Sequence, residues 1–379
     1  MTPPETPTRS DSVTSTRVAV RGGKPIEFEQ TAPHTIERDG VLQLTGDPID
    51  YAVDESARLG AGRFSRVYLA RCVDNDDPAR PHAALTPPTT PSRVARRTSE
   101  PVVRPTVFAV KVAADKSSLK ALRGEARILS HLAKHPESRK HMVPFYGFDS
   151  GRNSLVFGAL PSTLADLITL ELDRLDSLAR TTELCRVLPH VARSLINGLA
   201  WMHSLHVVHS DIKPPNILLR AGAPVPIPLE HGHRILDVPF TPVFADFTSS
   251  FLLTDDPKTI SSMGGGTYDY MAPEQFSPPF PSPDSKMDVY ALAISLVELI
   301  TGRSPFEDAG SNRNMKMAMI KEGKALVWAM RSSIGKTRMN NVGEEMFRRY
   351  GLNTKTLLQT ALCKKPAERV SAEEWSELW

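Results

Sequence analysis

The chain has 379 residues, a formal net charge of +3 and three cysteines. Its 46 Lys and Arg are interspersed with 43 Asp and Glu, and no basic block interleaved with aromatics occurs, which argues against nucleic acid as a partner. Cys72, Cys185 and Cys363 are odd in number and far apart, so they suit reduced thiols in an intracellular protein rather than a disulfide frame or a zinc site.

Residues 1–47 are rich in Pro, Thr and Arg without a sustained period, and read as a disordered leader in which Val41 to Leu44 could still join a sheet. No apolar h-region of a secretory signal is present. Thr2 stands where myristoylation needs glycine, and the C-terminus carries no prenylation box. The longest apolar run, Val289 to Ile300, is too short for a bilayer and is broken by Ser295 and Glu298. The expectation is a soluble intracellular protein, cytoplasmic or nuclear, with no membrane partner.

Ala57 to Ala70 alternates around a Gly-rich turn and predicts a hairpin. Residues 74–105, with Pro-Pro, Thr-Thr-Pro and Arg96-Arg97-Thr98-Ser99, predict a flexible insertion between two strands. A sheet tolerates this because each doubling of loop length costs only about 0.6 kcal/mol. Ser117 to Ala133 carries Leu119, Leu122, Ala126, Leu129 and Leu132 at helical spacing, and Val143 to Phe148 and Ser154 to Leu160 read as strands. From Thr181 helices dominate, beginning with the face Leu184, Val187, Leu188, Val191, Leu195 and Leu199; Ala221 to Pro242 is a second Pro- and Gly-rich insertion. Strands with one helix, followed by many helices, predict an α+β fold in two lobes. No further domain is expected after Trp379.

Chemistry concentrates in His209-Ser210-Asp211-Ile212-Lys213-Pro214-Pro215-Asn216. An acid, a cation and an amide in one short loop are the groups phosphoryl transfer needs around a hydroxyl, a phosphate and a magnesium ion. Upstream lie Gly60-Ala61-Gly62-Arg63-Phe64-Ser65-Arg66-Val67 and Val107-Phe108-Ala109-Val110-Lys111-Val112; downstream lie Asp246-Phe247-Thr248 and Met271-Ala272-Pro273-Glu274. A glycine turn lets backbone N–H groups approach phosphate. A lysine inside an apolar strand needs a charged partner.

These five ordered motifs resemble the eukaryotic protein kinase family from about residue 50 to the C-terminus. The resemblance implies a small antiparallel β-sheet lobe with one helix and a larger, mainly helical lobe. It places a kinase domain at 50–379, with an N-lobe at 50–158 and a C-lobe at 159–379. It implies Mg2+ and ATP as cofactors and a protein Ser/Thr substrate. ATP would meet Leu59, Gly60, Ala61, Gly62, Val67, Ala109, Lys111, Phe157, Gly158, Leu160 and Leu218, with Phe157 as gatekeeper and Gly158 to Leu160 as hinge.

Lys111 would pair with the nucleotide phosphates and with Glu125; Glu137, past a proline, is the less suited rival. Asp211 would orient the hydroxyl and accept its proton, and Lys213 would neutralise phosphate. Lysine at that position marks the serine/threonine type. Asn216 and Asp246 would hold the metal, although Asp246 read alone also fits a turn or cap. Asp288 would brace the catalytic loop and could also serve as an N-cap-like acid, and Arg369 would pair with Glu274. An activation segment from Asp246 to Glu274 would place Thr267 against Asp211, with Thr259, Ser261, Ser262 and Thr267 as phosphosites. Arg96-Arg97-Thr98-Ser99 looks like a basic-directed site.

Three positions depart from the family pattern. Ser65 replaces the third glycine of the loop. Ser210 replaces an arginine that grips activation-segment phosphate, so phosphate switching is expected to weaken. Thr248 replaces a glycine, and its β-branch is expected to hinder flipping of Phe247. They motivate an alternative, a pseudokinase scaffold that binds nucleotide. A small-molecule kinase is a third reading, opposed by the Ala-Pro-Glu segment, Asp288 and Arg369.

Overall fold

A computed structural model describes residues 35–44, 51–62, 64–72, 107–222, 240–256, 258, 260, 266–278 and 282–379. The insertion 74–105 with Arg96 to Ser99, residues 223–239 of the second insertion, Thr259, Ser261, Ser262 and leader residues 1–34 lie outside the described residues.

Seven strands form the first sheet: β1 Thr35–Arg38, β2 Val41–Leu44, β3 Tyr51–Ala61, β4 Ser65–Cys72, β5 Val107–Ala113, β6 Phe145–Asp149 and β7 Ser154–Gly158. Their spatial order is β1-β2-β6-β7-β5-β4-β3. Within the stretch read as a leader, Val41 to Leu44 join the sheet as the sequence allowed; the reading needs correction for Thr35 to Arg38, which pair with them as β1, and β2 joins β6 in parallel through Gln43 and Phe148. That pairing spans about a hundred residues of sequence, which no local period reveals. Gly147 permits it, since at φ +140° a Cβ there would meet the Leu44 nitrogen at 3.0 Å. The Leu42 N–H also donates to Ser130 Oγ at 2.8 Å, fastening β2 to the lobe's helix, α1 Leu119–Ala133.

Strand alternation decides what faces the cleft. In β5, Phe108 and Val110 are fully buried in an outer cluster with Tyr51, Ala70, Tyr146 and Val156. Ala109 and Lys111 consequently share the opposite face. Across the ladder Val67 pairs with Lys111 and Lys111 with Leu155, while Ala109 pairs with Phe157. Cross-strand partners share a face, so Val67, Ala109, Lys111 and Phe157 line one surface.

The second lobe is built on α2 Ser177–Ser204, α3 Lys286–Thr301 and α4 Ser333–Tyr350. Helix α3 is apolar all round because it is the centre of this lobe: Tyr290, Leu292, Ile294, Leu296 and Leu299 are inaccessible to solvent. It ends at Gly302 in the left-handed conformation, a standard helix stop. Among the described residues no helix is long and apolar enough to cross a membrane. Short strands, β8 Ser162–Thr163, β9 Val207–Val208, β10 Ile217–Ala221, β11 Phe240–Phe244 and β12 Phe251–Leu252, form two small sheets that present loops 209–216 and 245–250 toward the first lobe. The result is the two-lobed α+β fold that the motifs predict.

Candidate active site

Two polar clusters flank the cleft. The first centres on Lys111, which is buried to 5 % exposure. Its Nζ lies 2.7 Å from Glu125 Oε2 and 2.8 Å from Asp246 Oδ1, and donates to Thr248 Oγ1 at 2.8 Å. Glu125 projects from α1 and also accepts the Phe247 N–H at 3.2 Å. The hydroxyl of Thr248 lies 2.9 Å from Glu125 Oε2 and 2.6 Å from Asp246 Oδ1. Glu125, rather than Glu137, is thus the partner of Lys111; Glu137 meets Lys140 on the surface.

Burial would lower the Lys111 ammonium, but two adjacent carboxylates raise it above the ordinary lysine range. Burial pushes the Glu125 carboxyl up, with Lys111 opposing and Asp246 reinforcing the rise. For Asp246, burial acts upward and is outweighed by Lys111, so its carboxyl falls well below the usual range. Its side chain keeps 45 % exposure on the cleft side. An ionised, accessible carboxylate of this kind suits a hard cation.

Asp246 has φ +63°, a left-handed backbone that aims its carboxylate one way and Phe247 the other. Phe247 is fully buried and packs on the His209 ring at 4.8 Å. The His209 ring nitrogen Nε2 bonds the Ala245 carbonyl at 3.1 Å, so the two loops support each other.

The second cluster centres on Asp211. Its Oδ1 accepts from the Thr267 N–H at 3.0 Å and hydroxyl at 2.8 Å. Its Oδ2 accepts from Lys213 Nζ at 2.8 Å and Asn216 Nδ2 at 3.1 Å. Lys213 also donates to Thr267 Oγ1 at 2.8 Å. With the Asn216 amide nitrogen committed to Asp211, its carbonyl oxygen is the atom left for a cation. Among the described residues no three His, Cys, Asp or Glu side chains form a metal cage. An Asn and an Asp fit a magnesium ion that takes its other ligands from phosphate and water.

Asp288 explains the shape of loop 209–216. Its carboxylate is 1 % exposed and accepts the N–H of His209 at 2.7 Å and of Ser210 at 2.8 Å, with His203 Nε2 at 3.2 Å. Ser210 takes φ +68° as a result. Replacing Asp288 with alanine strands two buried amides. We expect a loss of about 1–3 kcal/mol for each, read from urea unfolding. An unchanged unfolding midpoint would contradict this.

Gly60 pairs with Val67, and the Gly62 N–H donates to the Ser65 carbonyl at 2.8 Å, making the tight turn; Leu59 beside it is largely exposed. Phe157 packs on Phe145 at 5.5 Å, the Gly158 N–H bonds Pro144, and Leu160 and Leu218 pack half-buried against the main core. Arg369 is fully buried and meets Glu274 with both guanidinium nitrogens, at 2.8 and 3.0 Å.

Two participants escaped the sequence reading. Arg127 of α1 forms a two-pronged ion pair with Asp255, at 2.9 and 2.6 Å, across 128 residues, a distance no local pattern bridges. The hydroxyl of Thr248 was the other. Its β-branch drew attention, but its hydrogen-bonding capacity was the available signal.

Residues 95–378 match the family model described as protein kinase domain. The dual specificity mitogen-activated protein kinase kinase hemipterous of Drosophila melanogaster is 32% identical over 148 residues, 39% of this chain and 11% of that protein. A receptor-like serine/threonine-protein kinase of Arabidopsis thaliana is 25% identical over 294 residues, 76% of this chain and 64% of that protein. The human dual specificity mitogen-activated protein kinase kinase 7 is 32% identical over 146 residues, 38% of this chain and 30% of that protein. The chain thus spans less than two thirds of the length of each of these relatives. With the family model covering most of its length, on a two-lobed fold, this chain belongs to the protein kinase domain family.

Proposed function

We propose that this protein is a serine/threonine protein kinase, moving the γ-phosphoryl group of Mg·ATP to Ser or Thr hydroxyls of protein substrates. The observation carrying this reading is the pairing of Asp211 with Lys213 under Thr267, all within 2.8–3.0 Å. A carboxylate that can take a hydroxyl proton stands beside a cation that can meet transferred phosphate.

In this reading Lys111 and Glu125 align the nucleotide, and Asn216 and Asp246 hold the metal. Gly60 to Gly62 cover the phosphates, and Val67, Ala109, Phe157 and Leu218 enclose the base. The catalytic unit runs from about residue 50 to 379, inside the cell. Ser65, Ser210 and Thr248 remain the ground for a nucleotide-binding scaffold. None of them removes a group proposed to touch ATP, metal or hydroxyl.

The test is transfer of labelled phosphate from Mg·ATP to a generic basic protein, with phosphoamino-acid analysis of the product and Asp246→Asn alongside. Phosphoserine or phosphothreonine that disappears in the mutant is the expected result. Phosphotyrosine in addition would make the specificity dual, as the names of two relatives state for those proteins. ATP binding without transfer would favour the scaffold.

A further inference from the structure

Thr248 Oγ1 lies within 2.9 Å of all three charged members of the first cluster: Lys111 Nζ at 2.8 Å, Asp246 Oδ1 at 2.6 Å and Glu125 Oε2 at 2.9 Å. A hydroxyl has one hydrogen and two lone pairs. Lys111 only donates, so it occupies a lone pair. The single hydrogen then faces two carboxylates and can serve either. A glycine at this position would offer none of these bonds, and Glu125 and Asp246 would share the lysine alone.

We propose that Thr248 is a positioning residue that couples helix α1 to the Asp246 loop through its hydroxyl, holding Lys111, Glu125 and Asp246 in one arrangement. This rests on the kinase reading for its effect on turnover, but the coupling itself is structural. Two further observations point the same way. The Phe247 N–H donates to Glu125 Oε1, so the loop grips the same carboxylate from a second side. Arg127, two residues beyond Glu125, is clamped by Asp255, nine residues beyond Asp246. Helix α1 is therefore fastened by groups encoded in the chain on both sides of the loop.

The hydroxyl can be removed at constant shape with Thr248→Val, and at lower bulk with Thr248→Ala; Thr248→Ser keeps it without the methyl group. The full chain without nucleotide is compared by amide hydrogen exchange over residues 119–133, and each protein is then assayed for kcat and for KM of a protein substrate. Losing hydrogen bonds to charged groups should speed exchange in α1 about tenfold in the Val and Ala variants. The same variants should lower kcat by a similar factor with KM little changed, and Ser should restore both. Wild-type exchange rates in Val and Ala would overturn the proposal. So would a Ser variant that behaves like Ala, since the methyl group and not the hydroxyl would then be responsible. Should Val fail to fold, Ala against Ser decides the same question. If the wild-type chain transfers no phosphate, the exchange difference still reads the coupling, separately from the kinase reading.

Discussion

Replacing Asp211 with asparagine should lower kcat for phosphotransfer about a thousandfold while leaving the fold intact. Both carboxylate oxygens are committed as acceptors: Oδ1 to the Thr267 N–H and hydroxyl, Oδ2 to Lys213 and Asn216. An amide of the same shape must turn its NH2 toward one of these donor sets. It would also offer the incoming hydroxyl no basic oxygen of comparable strength. Because the Asp211 side chain is only 15 % exposed, turning an NH2 toward these donors should also cost about 1–3 kcal/mol of stability, too little to unfold the chain. Single-turnover transfer from labelled Mg·ATP, with urea unfolding in parallel, checks both halves. Full transfer by Asp211→Asn would remove Asp211 from the mechanism, and loss of transfer through unfolding would show as a chain already unfolded without urea.

Arg369→Ala should destabilise the fold more than any single change in the cleft, by about 3–5 kcal/mol. The Arg369 side chain has no solvent exposure. It donates to both oxygens of Glu274 and to the carbonyls of Cys363 and Lys286, and its guanidinium lies 5.0 Å from the Tyr290 ring centre. Truncation leaves the Glu274 carboxylate, 12 % exposed, and the Cys363 carbonyl without this donor. Lysine cannot reproduce the planar fork, so Arg369→Lys should recover only part of the loss. The effect should reach the cleft as well. Glu274 fixes the short helical turn Pro273–Phe276, a few residues after Thr267, whose hydroxyl holds Asp211. A change in unfolding free energy below about 1 kcal/mol would show that the pair contributes little net stability, as surface pairs do.

Within the site, legibility followed the range of the interaction. Asp211, Lys213 and Asn216 lie within six residues, and the spacing that suggested their chemistry also folds them together. Lys111 was readable because a lysine in an apolar strand demands a partner. Glu125 could be nominated because α1 follows that strand and carries it to the same face. Asp288 suits bracing and an N-cap-like role together, and its bonds to His209 and Ser210 show the bracing one. Thr248 is legible only in part. Its branch was expected to restrict Phe247, whereas its oxygen joins three charges, a geometry that exists only after strand, helix and loop converge.

By itself the sequence determined the alternation of strands, the helical periods and the order of the chemical groups, because each is written in spacings of a few residues. That was enough for a two-lobed α+β fold and for nominating the residues around Lys111 and Asp211. Tertiary structure alone decided the rest. It set the parallel joining of β2 to β6 within the supposed leader, where Gly147 allows close backbone approach. It clamped Arg127 to Asp255, and it drew Thr248 between Lys111, Glu125 and Asp246. The physical reason is common to all three. Each contact joins groups that only the packed core brings within hydrogen-bond reach, and the free energy that holds them there comes from burying the residues around them.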